Sequence, residues 1–153
     1  MRHTLLISAF CLLLAACAQD ATTHEDDLDA IRSLIESVEA ANNEGDVDTW
    51  VGSFDDPFWY LPSFSPAVTN RDSLRAMTAA AFSGWQADIE ILVGDIQVEG
   101  YWANVYSEVR GIAVSPDKSD KANVDVKQLV VYHKTGDGWK ISRMMNNPNE
   151  YDM

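Results

Sequence analysis

The chain has 153 residues, which is enough for one domain of modest size. It carries 24 acidic and 11 basic side chains, and its formal net charge is −13 at pH 7. This acidity argues against a nucleic-acid-binding protein, because phosphates must be neutralised by Lys and Arg. Anionic lipid headgroups are disfavoured as partners for the same reason.

The N-terminus has the pattern of a bacterial lipoprotein signal peptide. A positively charged Arg2 precedes an apolar run, Leu5 to Leu14, that is shorter than the about 20 residues a membrane span requires. The sequence Leu14-Ala15-Ala16-Cys17 then forms a lipobox. We therefore expect residues 1–16 to be removed and Cys17 to be lipidated. The alternative is an ordinary secretory signal, with a mature chain that starts at Gln19.

The residue after the predicted anchor indicates which membrane is involved. Ala18, rather than Asp, follows Cys17, and resemblance to lipoproteins of Gram-negative bacteria then implies the outer membrane, facing the periplasm. Membrane contact is expected through the lipid anchor only. The other cysteine, Cys11, leaves with the signal, so the mature domain has no disulfide or thiolate nucleophile.

Helices are predicted first, after a short polar tether at residues 17–24. Glu25-Asp26-Asp27 is expected to begin a helix whose apolar residues recur at helical spacing up to Asn42-Asn43-Glu44-Gly45. Asp46 is expected to cap a second, short helix that includes Phe54 and ends before Pro57. A third helix is predicted from Arg71 or Asp72 to Phe82.

The remaining elements read as strands. Phe58 to Leu61 is aromatic enough for a short strand. Four longer strands are predicted at Ala87–Val98, Tyr101–Val114, Ala122–Lys134 and Trp139–Met145, separated by turn residues. Helices followed by an antiparallel sheet give an α+β fold, with one domain over residues 25–153.

Four segments follow one another along the chain: Ala41 to Asp48, Phe54-Asp55-Asp56, Asn70 to Leu74, and Gly138 to Ile141. In their residues, order and spacing they resemble the nuclear-transport-factor-2-like superfamily, and more narrowly its SnoaL-like domains of unknown function. The resemblance implies a cone, in which a curved antiparallel sheet wraps the N-terminal helices and leaves a pocket at its open end. It also implies a homodimer. It does not imply one chemistry, because this fold hosts enzymes, binding proteins and assembly modules.

Ketosteroid isomerase belongs to this superfamily and uses an aspartate base, a phenol and a neutral carboxylic acid. Aligned on the shared motifs, these three positions fall at Leu61, Val38 and Val130. All three are aliphatic here. We therefore do not expect ketosteroid isomerisation.

The same alignment predicts which strand residues face the pocket, since successive side chains alternate between faces. In the favoured assignment, twelve side chains point into the pocket. They belong to Trp102, Asn104, Tyr106, Glu108, Arg110, Val126, Gln128, Val130, Tyr132, Ile141, Arg143 and Met145. The opposite assignment for the strand Tyr101–Val114 buries Ala103, Val105, Ser107, Val109 and Ala113 instead, and leaves Tyr106 and Glu108 in solvent or in a dimer interface.

The favoured assignment gives candidate site residues. Trp59, Tyr106, Gln128 and Tyr132 would bind a ligand in a mostly apolar pocket with a few polar groups. Glu108 would be a general base, and Arg143 would stabilise negative charge. The alternative is that Glu108 and Arg143 only neutralise each other beneath the helices, or lie at the rim of the pocket.

No cofactor or metal is expected. The sequence has no phosphate-binding glycine loop, and its histidines lack the spacing of metal ligands. The leading function is binding of a small, partly apolar molecule in the envelope. A cofactor-independent isomerase, cyclase or dehydratase and a dimerising interaction module remain as alternatives.

Overall fold

The computed structural model describes the backbone of residues 3–149 and the side chains of residues 24–149. The predicted signal peptide (1–16), Cys17 and all of the tether except His24 lie outside the described side chains. Within the described part of the chain, no helix combines the length and apolarity needed to cross a bilayer.

The described residues form three helices: α1 (His3–Glu44), α2 (Val47–Gly52) and α3 (Arg71–Gly84). The prediction that α1 begins at Glu25 is wrong, because residues 18–24 contain no Pro or Gly to interrupt a helix. The predicted cap of α2 is confirmed, since Asp46 accepts a hydrogen bond from the Thr49 amide at 3.0 Å. Asn70 caps α3 in the same way, accepting from the Ser73 amide at 2.8 Å.

Within residues 3–149, five strands form one sheet: β1 (Phe54–Leu61), β2 (Gln86–Glu99), β3 (Trp102–Val114), β4 (Lys121–Thr135) and β5 (Gly138–Pro148). The four longer predicted strands are confirmed with slightly different bounds. β1 starts earlier than predicted, because α2 ends at Gly52 and Phe54 already pairs with Ile141 of β5. Phe54 is therefore a strand residue and not part of the second helix.

The strand order is β1-β5-β4-β3-β2, in which β1 and β5 are parallel and all other pairs are antiparallel. This confirms the α+β class and a sheet that is mostly antiparallel. The core lies between the helices and one face of the sheet, here called the inner face. Its largest fully buried side chains are Phe58, Ile31, Leu74, Ile141, Val51, Val105 and Val130.

Gly111 allows β2 and β3 to approach each other closely. Its φ is +152°, and a Cβ atom at this position would lie 2.1 Å from the carbonyl oxygen of Asp88. No side chain fits there, which explains a glycine in the interior of a strand.

Candidate functional site

The side chains of β3 that point to the inner face are not those of the favoured prediction but the alternate set. Ala103, Val105, Ser107 and Val109 are buried, whereas Trp102 and Tyr106 are more than 40% exposed. The cause is the register between strands, because Ser107 pairs with Gln128 and paired residues share a face. Odd-numbered residues of β3 therefore share a face with even-numbered residues of β4. The prediction placed even-numbered residues of both strands on the inner face, which this register does not allow.

The prediction for β4 is confirmed, and that for β5 is only partly right. Val130 and Tyr132 are buried on the inner face, and Val126 and Gln128 are half-buried there. In β5, Ile141 is buried as predicted, but the register shifts opposite Val131 and Tyr132. This bulge turns Met144 inward and leaves Arg143 and Met145 exposed, so their predicted inward placement is wrong.

The structure does not bring the six predicted site residues together. Gln128 and Tyr132 lie on the inner face, whereas Trp59, Tyr106, Glu108 and Arg143 lie on the outer face of the sheet. Glu108 bonds to Arg110 and accepts a hydrogen bond from Tyr106 at 3.3 Å. The expected pairing of Glu108 with Arg143 is therefore absent from the described residues, and the predicted convergence is wrong.

A cavity of about 210 Å³ lies between the helices and the inner face. Its lining is mainly apolar and comes from α1, α2 and all five strands. The lining residues are Val38, Asn42, Trp50, Tyr60, Ala87, Ile89, Ile91, Val109, Val124, Val126, Gln128, Met144 and Asn146. No Asp, Glu, Lys, Arg or His is among these described residues.

Three neutral polar side chains of the cavity lining are connected by hydrogen bonds. Gln128 Nε2 donates to Asn146 Oδ1 at 2.9 Å, and Asn146 Nδ2 donates to Tyr60 Oη at 3.3 Å. Behind them, Ser107 Oγ donates to Gln128 Oε1 at 3.4 Å. A separate polar group, Asn42, uses its amide nitrogen to bond the Val38 carbonyl at 2.8 Å.

Tyr60 is held in place by both its backbone and its ring. Its backbone exchanges two hydrogen bonds with Val68, at 2.9 and 2.8 Å. Its ring meets the Trp50 ring edge-on, with 5.6 Å between the centroids. Burial raises the pKa of the Tyr60 hydroxyl to about 12, against the opposing effect of the hydrogen bond from Asn146. The phenol therefore stays neutral at physiological pH and can serve as a hydrogen-bond donor.

A second group of polar and aromatic side chains lies on the outer face. His133 Nδ1 is 2.8 Å from Asp55 Oδ2, and the imidazole stacks on the Trp102 ring with 4.3 Å between the centroids. The Arg143 guanidinium lies 6.0 Å from the centre of the Trp102 ring. Among the described residues, no three His, Cys, Asp or Glu side chains are placed to hold a metal ion.

No protein-family model and no curated protein sequence matches the chain. Solved structures do match its fold. A ketosteroid isomerase-like protein from Erwinia carotovora atroseptica aligns with 82% of this chain and 98% of its own, at 18% identity and a TM-score of 0.74. A Nostoc punctiforme domain of unknown function with a cystatin-like fold aligns with 83% of this chain and 80% of its own, at 20% identity and a TM-score of 0.67.

A third structure carries the superfamily name. It is a nuclear-transport-factor-2-like protein with a cystatin-like fold from Novosphingobium aromaticivorans, covering 87% of this chain and 88% of its own at 15% identity, with a TM-score of 0.69. This chain has the nuclear-transport-factor-2-like fold. At these identities the likeness concerns the fold and not the chemistry.

Within this nuclear-transport-factor-2-like fold, the three positions implied by ketosteroid isomerase hold aliphatic side chains. Val38 lines the cavity, Val130 is buried in the core, and Leu61 lies beside the loop after β1. None of the three brings an ionisable group to the cavity.

Two central residues of the cavity, Tyr60 and Asn146, were not predicted from the sequence. The aromatic segment Phe58 to Leu61 was recognised as a strand, but only Trp59 was assigned to the site. Alternation along β1 places Tyr60 and Phe58 inward and Trp59 outward. Asn146 lies just beyond the predicted end of the last strand, where the sequence shows no motif.

Proposed function

We propose that this chain binds a small, uncharged and mostly apolar molecule in the cavity. The observation that carries the proposal is a largely apolar lining in which a few neutral polar groups meet, and to which the described residues bring no carboxylate, imidazole or cationic group. Such linings are common in small-molecule sites. A charged ligand would lose its hydration without gaining a counter-charge, which is unfavourable.

The size of the cavity limits the ligand. An engineered apolar cavity of about 150 Å³ in another protein holds benzene. The present cavity, at about 210 Å³, therefore suits a molecule of one or two small rings.

A cofactor-independent enzyme receives less support. General acid–base catalysis uses a side chain whose pKa lies near the working pH. The only ionisable side chain that lines the cavity among the described residues is Tyr60, and its pKa is far above neutral. Glu108 and Arg143, the candidate catalytic residues, lie on the other face of the sheet.

A homodimer is the proposed assembly, with the outer face of the sheet as its interface. Large apolar side chains are exposed there on neighbouring strands: Trp59, Trp102, Tyr106, Leu129 and Met145. Leu129 pairs with both Tyr106 and Met145, so three of these side chains form a row. Exposed apolar patches of this kind mark interaction surfaces. Replacing Leu129 with Asp should convert a dimer to a monomer in sedimentation equilibrium, and an unchanged mass would contradict this interface.

The proposed location is the outer membrane of the cell envelope, facing the periplasm, with Cys17 as the lipid anchor. The support is the lipobox and the residue that follows it. Replacing Cys17 with Ser should release the protein from washed membranes. Continued pelleting of the variant would argue against the anchor.

Binding can be tested with indane, an uncharged two-ring hydrocarbon, by following chemical shifts of the purified protein by NMR. Saturable shifts at cavity residues are expected. Ala87→Leu should fill the cavity and abolish them, because Ala87 lines it. Ala122→Leu is the matched control, since Ala122 is exposed and does not line the cavity. Equal shifts in both variants would place the binding elsewhere.

A further inference from the structure

A chain of four hydrogen-bonding side chains ends in the cavity. It starts at the buried Ser107, continues through Gln128 and Asn146, and finishes at Tyr60. In each bond the earlier residue donates to the next. The Tyr60 oxygen therefore accepts a hydrogen bond and keeps its own hydrogen as a donor. Within residues 24–149, no acceptor for that hydrogen is found.

We infer that the cavity selects an uncharged ligand that carries a hydrogen-bond acceptor, such as a ketone, ester or ether oxygen, and that Tyr60 donates to it. This inference rests on the proposed function, because it specifies the polar end of a ligand in the same cavity. It adds a requirement for a hydrogen-bond acceptor on the ligand, which the apolar lining alone does not impose.

The position of Tyr60 supports a donor with a fixed direction. Its backbone bridge to Val68 and its packing on Trp50 restrict the ring, and the bond from Asn146 restricts the hydroxyl oxygen. Successive bonds that run in one direction polarise one another and strengthen the last donor. A purely hydrocarbon ligand would leave this buried hydroxyl without an acceptor, which is unfavourable.

An anionic acceptor fits less well. A carboxylate accepts hydrogen bonds more strongly than a ketone, but no Lys, Arg or His of the described residues lines the cavity. Its charge would be buried without a partner. The acceptor is therefore neutral.

The test compares two probes with the same two-ring skeleton, 1-indanone and indane, which differ by one carbonyl group. We expect the purified protein to bind 1-indanone more tightly. Tyr60→Phe should weaken 1-indanone binding by about 5- to 10-fold, the effect of one net hydrogen bond, and should not weaken indane binding. Tyr132→Phe is the control, because Tyr132 is another buried phenol and does not line the cavity.

A spectroscopic measurement on the wild-type complex does not depend on the stability of a variant. Hydrogen bonding lowers the infrared carbonyl stretching frequency of 1-indanone. In the wild-type complex this frequency should be lower than that of 1-indanone in a hydrocarbon solvent, and in Tyr60→Phe the shift should be lost.

The outcomes separate the inference from the proposed function. Equal affinity for both probes, together with an unshifted carbonyl frequency, would overturn the role of Tyr60 and leave the apolar binding site standing. Failure of both probes to bind would overturn the proposed function and the inference together. A lowered frequency that persists in Tyr60→Phe would assign the donor to another residue and would also overturn the inference.

Discussion

The side-chain amide of Asn43 in α1 exchanges two hydrogen bonds with the backbone of Ile89 in β2, each of 2.8 Å. One turn earlier, Glu39 Oε2 accepts from the Ile91 amide at 2.7 Å. β2 is an edge strand of the sheet, so these side chains occupy backbone groups that a neighbouring strand would otherwise use. They also fix Ile89 and Ile91, two residues of the cavity lining.

Asn43→Ala should therefore destabilise the fold and expose the sheet edge. The loss of two partly buried hydrogen bonds is expected to lower the free energy of unfolding by about 1–3 kcal/mol. Urea denaturation measures this change, and sedimentation velocity should show more self-association. Asn123→Ala, at an exposed position of β4, is the control and should change neither quantity. Equal stability of the two variants would contradict the role of Asn43.

Gly111→Ala should be severely destabilising. The added Cβ would lie 2.1 Å from the Asp88 carbonyl oxygen and 2.7 Å from the Ile89 Cα, so backbone must move. We expect a loss of more than about 3 kcal/mol, within the range of strongly disruptive substitutions. Gly136→Ala is the control, because, apart from Gly136 and its two chain neighbours, no atom of the described residues lies within 4 Å of its Cβ position. A thermal midpoint for Gly111→Ala within a few degrees of wild type would show that β2 and β3 can separate at little cost.

The helices and strands were largely predictable from the sequence, because caps, turns and apolar periodicity depend on residues that are close together in the chain. Asp46 caps α2 through the amide three residues later, and the apolar periodicity of α1 marks its buried side. The faces of the strands were less predictable. Whether Ser107 or Tyr106 points inward depends on how β3 pairs with β4, and this register is set by the loop that joins them.

A β-bulge likewise made part of the candidate site unpredictable from the sequence. The register shift in β5 places Met144 and Asn146 on the inner face and turns Arg143 and Met145 outward, and no single residue in the sequence marks it. Gln128 was predicted to face inward and lines the cavity, since β4 keeps strict alternation there. Tyr60 and Asn146 join the site only through pairing between strands that are distant in sequence.

Thr78→Val should stabilise the protein. The Thr78 hydroxyl is buried in α3 and has no hydrogen-bond partner among the described residues. Valine has nearly the same shape without the polar group, so the substitution removes a desolvation penalty of about 1–3 kcal/mol. A higher midpoint in urea denaturation is expected. A lower midpoint would indicate that the hydroxyl is satisfied in solution, for example by water.

Asp27 should make stability depend on pH. Burial acts to raise the pKa of its carboxyl group, but hydrogen bonds from Lys134 Nζ at 2.5 Å and Trp139 Nε1 at 3.0 Å, with the Lys134 charge, lower it overall. A carboxylate whose pKa is lower in the folded state stabilises the fold above its unfolded pKa of about 3.9. That contribution is lost as pH falls through the lower, folded-state pKa.

Asp27→Asn is expected to remove this pH-dependent contribution, since Asp27 links α1 to the β4–β5 hairpin through Lys134 and Trp139. The difference in unfolding free energy between wild type and variant should be constant above about pH 5 and shrink below about pH 4. Urea denaturation at several pH values measures it. Asp26→Asn is the matched control, because Asp26 is the exposed neighbour, and its difference should be small at every pH. A difference for Asp27→Asn that is the same at pH 3 and pH 7 would show that its bonds do not depend on ionisation.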